Sequence, residues 1–132
     1  MQHNNHSDKG QSKKNSLTKL LSGFRYAFNG LKILITEEHN AWIHLLATLF
    51  VLIAGVVFHI STMEWVAVVF CIGWVFALEL INTAIENTAD FISQEKNEKI
   101  KKIKDLSAGA VLVAAIASAV IGLIIFLPKM IQ

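Results

Sequence analysis

The sequence predicts an all-α integral membrane protein, with three transmembrane helices per chain and an N-terminal amphipathic surface helix. Three observations carry this reading. Hydrophobic residues make up 54% of the chain and charged residues only 17%, whereas soluble domains run at roughly 45–50% apolar. Three apolar runs each approach the ~20 residues that a helix needs to cross hydrocarbon. Ahead of them, a segment shows apolar residues at three- and four-residue steps. A soluble bundle of 132 residues would have too much surface for its volume to hide that many apolar side chains.

Residues 1–15, MQHNNHSDKGQSKKN, read as a disordered polar tail. No short apolar region directly follows the charges, so the tail does not read as a signal peptide. His3 and His6 belong to this tail and are read as such rather than as metal ligands.

Residues 16–132 read as one membrane domain. In 16–36, Leu17, Leu20, Leu21, Phe24, Phe28, Leu31 and Ile35 share one helical face. Lys19, Ser22, Arg25, Asn29 and Lys32 fall largely elsewhere. That division suits a helix lying in the membrane interface.

The first span is 41–60, AWIHLLATLFVLIAGVVFHI. A short turn at 59–64 leads into the second, about 63–92, which forces an antiparallel hairpin. The third span is about 107–127, where Ala110, Ala114, Ser118 and Gly122 form a small-residue stripe that lets helix backbones approach closely. Trp42 and Trp65 fall at opposite interfaces, and Trp74, deeper, reads as packing. The single Cys71 excludes an internal disulfide.

Orientation follows from lysine and arginine. Lys9, Lys13, Lys14, Lys19, Arg25 and Lys32 precede span one, and Lys96, Lys99, Lys101, Lys102 and Lys104 lie in the loop 93–106. The turn at 59–64 has neither residue. The N-terminus and the second loop are therefore expected in the cytoplasm, with Lys129 the exception. Nucleic acid would need a continuous basic face, so it is not an expected partner.

The second half of span two, ALELINTAIENTADF, carries the chemistry. At about 100° per residue, Glu79, Glu86 and Asp90 share a narrow arc, with Asn82 about 60° to one side. A charge near the membrane centre costs roughly 2.5–3.5 kcal/mol even on insertion scales, so an ionisable residue there is a functional candidate. An interfacial polar rim accounts for Asp90, less well for Glu86, and poorly for Glu79.

Glu38 stands at the entry to span one, and the hairpin brings it to the level of Glu86. Two carboxylates at one depth suit a magnesium ion shared with nucleotide phosphates. Lys104–Asp105, with Lys99, Lys101 and Lys102, precedes span three at the cytoplasmic face, and lysines there would meet anionic lipid heads or nucleotide phosphates. No G-x-x-x-x-G-K-[ST] or G-x-G-x-x-G loop is present. Phosphoryl transfer needs a metal, an in-line nucleophile and a base for the hydroxyl proton. Glu79 would be that base, acting on a lipid alcohol. The competing readings are a small transporter or proton/cation pathway using Glu79, and an assembly subunit using the stripe of span three.

ELINTAIENTAD, the upstream EEHNAWIH, and KDLSAGAVL after the lysines resemble the prokaryotic diacylglycerol kinase family, which includes the undecaprenol kinases of Gram-positive bacteria. The resemblance covers about residues 16–127. It implies a homotrimer of three-span subunits in the bacterial cytoplasmic (inner) membrane, with active sites between subunits. It also implies transfer of the ATP γ-phosphate to a membrane lipid alcohol with Mg2+. On matching motif positions, Glu79 takes the general-base role, Glu86 and Glu38 hold the metal, and Asn82 lies near the transfer site. Glu95, Lys96, Asn97, Lys104 and Asp105 fall where the family touches nucleotide, as do Lys19 and Tyr26 on the surface helix. The wording of the motif and the ending IGLIIFLPK favour undecaprenol over diacylglycerol. Two departures concern loop detail: His39 stands where many members carry Arg, and 93–103 lacks a His-Pro pair. The roles of His39 and His44 stay open at this level.

Overall fold

The computed structural model describes residues 7–93, 95 and 97–131, with side chains from residue 18. His3, His6 and Lys96 lie outside that set. Four helices follow in order: α1 (Ser7–Glu37), α2 (His39–Val57), α3 (Thr62–Ile92) and α4 (Glu98–Ile131). The chain divides into two compact units, Met1–Ile33 and Leu34–Gln132. The first holds most of α1. The second holds the end of α1 and the three helices α2–α4.

Helix α1 begins at Ser7, ahead of the expected boundary at residue 16. Leu20, Leu21, Phe24 and Phe28 on it are exposed. Glu38 breaks the path between α1 and α2 with extended backbone (φ −102°, ψ 116°).

Helices α2, α3 and α4 are each long and apolar enough to cross a membrane. Their large apolar side chains point outward: Phe50 is 73% exposed, Phe70 65% and Ile124 69%. A chain dissolved in water would bury these groups, because apolar area removed from water is the main favourable term in folding. Here the surroundings are lipid. The polar residues are placed inside instead, and Glu79, Asn82 and Thr83 are the buried polar side chains among the described residues.

The α2–α3 hairpin is tighter than the apolar run suggests. Helix α2 ends at Val57, because Phe58–Ser61 make the turn. The N–H of His59 donates to the Val56 carbonyl and that of Ile60 to the Gly55 carbonyl. This is the pair of bonds by which a helix closes on a left-handed residue, and His59 has φ 49°. Ser61 then caps α3. Its hydroxyl accepts from the Glu64 N–H (3.4 Å) and its own N–H donates to the Glu64 carboxylate (2.6 Å), satisfying two donors reciprocally. Ile60, Val68 and Ile125 form a small core at this end, with Trp65 and Phe126 packed on it. A Cβ on Gly55 would sit 2.7 Å from the Trp65 ring, so only glycine admits that ring.

One expectation changes. The lysine segment is helical from Glu98 onward rather than a loop. Asn97 explains this, since its side-chain oxygen accepts the Lys99 N–H (2.9 Å) and starts α4, and no Gly or Pro interrupts EKIKKIKDL. Trp74 is 52% exposed on this chain and packs by stacking on Phe70 with centroids 6.0 Å apart. The small-residue stripe is only partly a contact surface. Ala114 is buried and Ser118 and Gly122 are half-buried, while Ala110 is exposed.

Candidate active site

Helix α3 carries the acidic row as its periodicity requires. Glu79 is 3% exposed, Asn82 7%, Glu86 is half-buried and Asp90 is exposed. The row thus runs from the dry interior toward the surface. Each member has a specific partner.

Glu79 Oε1 lies 2.9 Å from Nε2 of His44, on α2. A carboxylate removed from water needs such a donor, since an unpaired buried charge is costly. His44, left open by the sequence, is therefore part of the site. It also borders a cavity of about 370 Å³ between α2, α3 and α4, walled mainly by apolar side chains such as Val51, Val75, Phe76 and Ala119.

One and two turns further along, the Asn82 Nδ2 donates to Glu86 Oε1 at 3.0 Å, and its Oδ1 accepts from the Ser107 hydroxyl at 2.7 Å. Asn82 thus bridges α4 to the Glu86 carboxylate and sets its orientation. Sequence reasoning missed Ser107. Nothing local marks a serine three residues after Lys104 as a partner of α3. The Thr83 hydroxyl is buried without a partner among the described residues.

Glu38 does not cap α2 with its side chain. Its carboxyl is pushed above the ordinary glutamate value, first by burial and then by the charges of Glu86, Glu79 and Glu37. Burial and nearby like charges both disfavour the ionised form of a carboxylate, and Glu38 experiences both.

At the outer end of the row, Lys104 Nζ binds both Asp90 oxygens, at 2.7 and 2.9 Å. Lys104 is therefore paired with a carboxylate of its own chain. Asp105 is exposed, beside Glu98, Lys101 and Lys102. Asn97 is used in capping, and the Glu95 N–H donates weakly to the Ser93 hydroxyl at 3.3 Å. Lys19 and Tyr26 are exposed on α1, and the Arg25 guanidinium lies 5.5 Å from the centre of the Tyr26 ring.

A buried carboxylate on a helix able to cross a membrane, further carboxylates along that helix and a lysine-rich start to α4 suit a lipid kinase. The comparisons with known proteins agree. The prokaryotic diacylglycerol kinase model matches residues 25–126. The chain belongs to the prokaryotic diacylglycerol kinase family. Among its relatives, undecaprenol kinase of Bacillus subtilis (strain 168) is 41% identical over 117 residues, 89% of this chain and 95% of that protein. Diacylglycerol kinase of Synechocystis sp. is 34% identical over 114 residues, 86% of this chain and 65% of that protein. A diacylglycerol kinase of Sinorhizobium sp. is 33% identical over 109 residues, 82% and 78% of the two chains. Members of this family are membrane lipid kinases, with nucleotide and lipid substrates. The kinase assignment replaces the readings of Glu79 as a transport site and of the chain as an assembly subunit.

Proposed function

We propose that this kinase transfers the γ-phosphate of ATP to undecaprenol, and less readily to diacylglycerol, in the bacterial cytoplasmic membrane. The N-terminus and the lysine-rich start of α4 face the cytoplasm, on the side of the larger lysine and arginine content. Lys129, the exception to that pattern, is paired with Glu64 at 3.2 Å, so the outer side presents little free positive charge. The working unit is a homotrimer. Its interfaces would cover part of the apolar surface that each chain exposes.

The burial of Glu79 carries the reading. A carboxylate at 3% exposure in an apolar helix can accept a proton from an alcohol that water-soluble groups do not reach. The lipid hydroxyl oxygen attacks the γ-phosphorus, its proton passes to Glu79, and ADP leaves. General-base assistance of this kind contributes about 10²–10⁴-fold. The apolar cavity beside His44 supports a hydrophobic acceptor.

Magnesium fits the residues present. Among the described residues, no group of three or more His, Cys, Asp or Glu gathers around one point. Magnesium needs only one or two carboxylates when phosphates and water complete its shell. Glu38 and Glu86 would hold it, and it would offset charge on the nucleotide. A cation there would offset charge at Glu38, whose ionised form is disfavoured first by burial and then by the neighbouring carboxylates. Asn82 fixes the Glu86 side chain for this purpose. Lys19, Tyr26, Glu95, Lys96, Asn97, Lys104 and Asp105 would contact nucleotide, Lys104 by exchanging Asp90 for phosphate.

The test uses purified protein in mixed micelles with labelled ATP, offering undecaprenol and diacylglycerol in turn. Phosphorylation of undecaprenol with the higher kcat/KM is expected, and its loss in Glu79→Gln. A Glu79→Gln protein that phosphorylates either alcohol at the unaltered rate would overturn the base assignment. Preference for diacylglycerol would overturn the substrate assignment alone.

A further inference from the structure

We propose that His44 is a positioning residue for Glu79. This rests on Glu79 being the base. The imidazole and the carboxylate are on different helices, 2.9 Å apart between Nε2 and Oε1, with side-chain exposures of 21% and 3%. The torsion that turns a glutamate carboxylate is broad and roughly two-fold, so burial alone does not aim its oxygens. A donor on Oε1 does. Nε2–H holds one oxygen, and the lone pairs of Oε2 then point in a set direction for the incoming hydroxyl proton.

His44 is well placed for this task. It stands on α2, a rigid element, and faces across to α3 inside one compact unit. Its ring also lines the cavity whose other walls are mainly apolar, including Val75 and Phe76. The same ring thus holds Glu79 and borders the space in which an apolar acceptor would lie. If packing were its purpose, an apolar ring would serve as well, and without the cost of placing imidazole nitrogens in a dry site. The exposed His39 and His59 make no such contact with a buried acid among the described residues.

The experiment compares His44→Ala, His44→Phe and His44→Gln with the parent enzyme, using label transfer to the lipid alcohol. Circular dichroism and thermal melting in detergent monitor folding. Loss of aim at the base lowers kcat about 10–100-fold, the size found when groups that orient a ligand from behind are removed. KM for ATP should stay within about twofold, because His44 touches no expected nucleotide position. Gln can offer an N–H at similar reach and should restore most of kcat, whereas Phe keeps the bulk and should not. If Ala fails to fold, the Phe and Gln pair still decides the matter. In the Glu79→Gln background, His44→Phe should cause no further loss.

Equal activity of Phe and Gln, or kcat unchanged in Phe, would overturn the proposal. So would failure of Gln to exceed Phe. A Glu79→Gln enzyme with unaltered kcat would instead overturn the base assignment on which the proposal stands.

Discussion

The hydroxyl of Ser107 lies 2.7 Å from the side-chain oxygen of Asn82, and through it α4 reaches the carboxylate row of α3. Asn82 spends its amide nitrogen on Glu86 at 3.0 Å. If the hydroxyl is removed, the buried oxygen of Asn82 loses its partner. A buried acceptor left unpaired costs about 1–3 kcal/mol. Ser107→Ala should therefore lower the thermal midpoint and loosen Glu86. A higher magnesium concentration for half-maximal rate is expected, and Ser107→Thr, which keeps the hydroxyl, should repair most of both effects. An Ala variant with the parent's melting curve and magnesium curve would show the link to be idle.

Glu38 and Glu86 give a prediction about the metal. Glu38→Gln and Glu86→Gln should each raise the magnesium requirement, with the maximal rate also reduced. Magnesium titrations of label transfer check this, and curves that superimpose on the parent's would remove both residues from the metal's shell.

The Glu38 carboxyl also makes stability depend on pH. Burial and neighbouring carboxylates raise its pKa in the folded state. A raised pKa means that the folded chain binds a proton which the unfolded chain has already lost. The metal-free protein should therefore lose stability as pH rises from the ordinary glutamate range through the folded-state value, and Glu38→Gln should remove that part of the slope. Melting in chelator across mildly acidic pH measures it, and identical slopes for parent and variant would contradict the assignment.

Gly55 is a packing requirement. A Cβ there would stand 2.7 and 2.9 Å from two ring atoms of Trp65 and 3.1 Å from the Ile60 side chain. The ring is bulky and must move as a whole. Overpacking of this kind costs about 1–3 kcal/mol. Gly55→Ala should lower the melting temperature, while the chemistry at the far end of α3 is left largely intact in the surviving folded protein.

His59 offers the opposite effect. It adopts φ 49° in the turn, a conformation costing a residue with a Cβ roughly 1–2 kcal/mol. His59→Gly should stabilise the hairpin despite the greater freedom of glycine when unfolded. A lower melting temperature would mean that the imidazole has a role beyond the turn.

The three spans and the acidic row were legible because hydropathy and 3.6-residue periodicity are local properties. Glu79, Asn82, Glu86 and Asp90 share a face in any straight helix. The cross-helix partners were not legible. Whether His44 meets Glu79 depends on how far α2 is rotated about its own axis, and a few tens of degrees would turn its ring to lipid. Ser107 was hidden for the same reason. The start of α4 was misplaced because lysines suggest a loop, when Asn97 caps a helix that simply continues out of the apolar layer. The partner of Lys129, Glu64, lies on another helix and was not legible either.

The ion pairs at the two ends of α3 and α4 have a mechanical consequence. Glu64 with Lys129 and Asp90 with Lys104 bolt two antiparallel rods together at both ends. The stretches between bolts are similar in length, about 39 Å on α3 and about 38 Å on α4 at ~1.5 Å per residue. Adding or deleting a single residue between them on either rod would turn everything beyond it by ~100° about the helix axis and swing one partner of a bolt away from the other. The stretches 64–90 and 104–129 should therefore tolerate substitutions far better than changes in length.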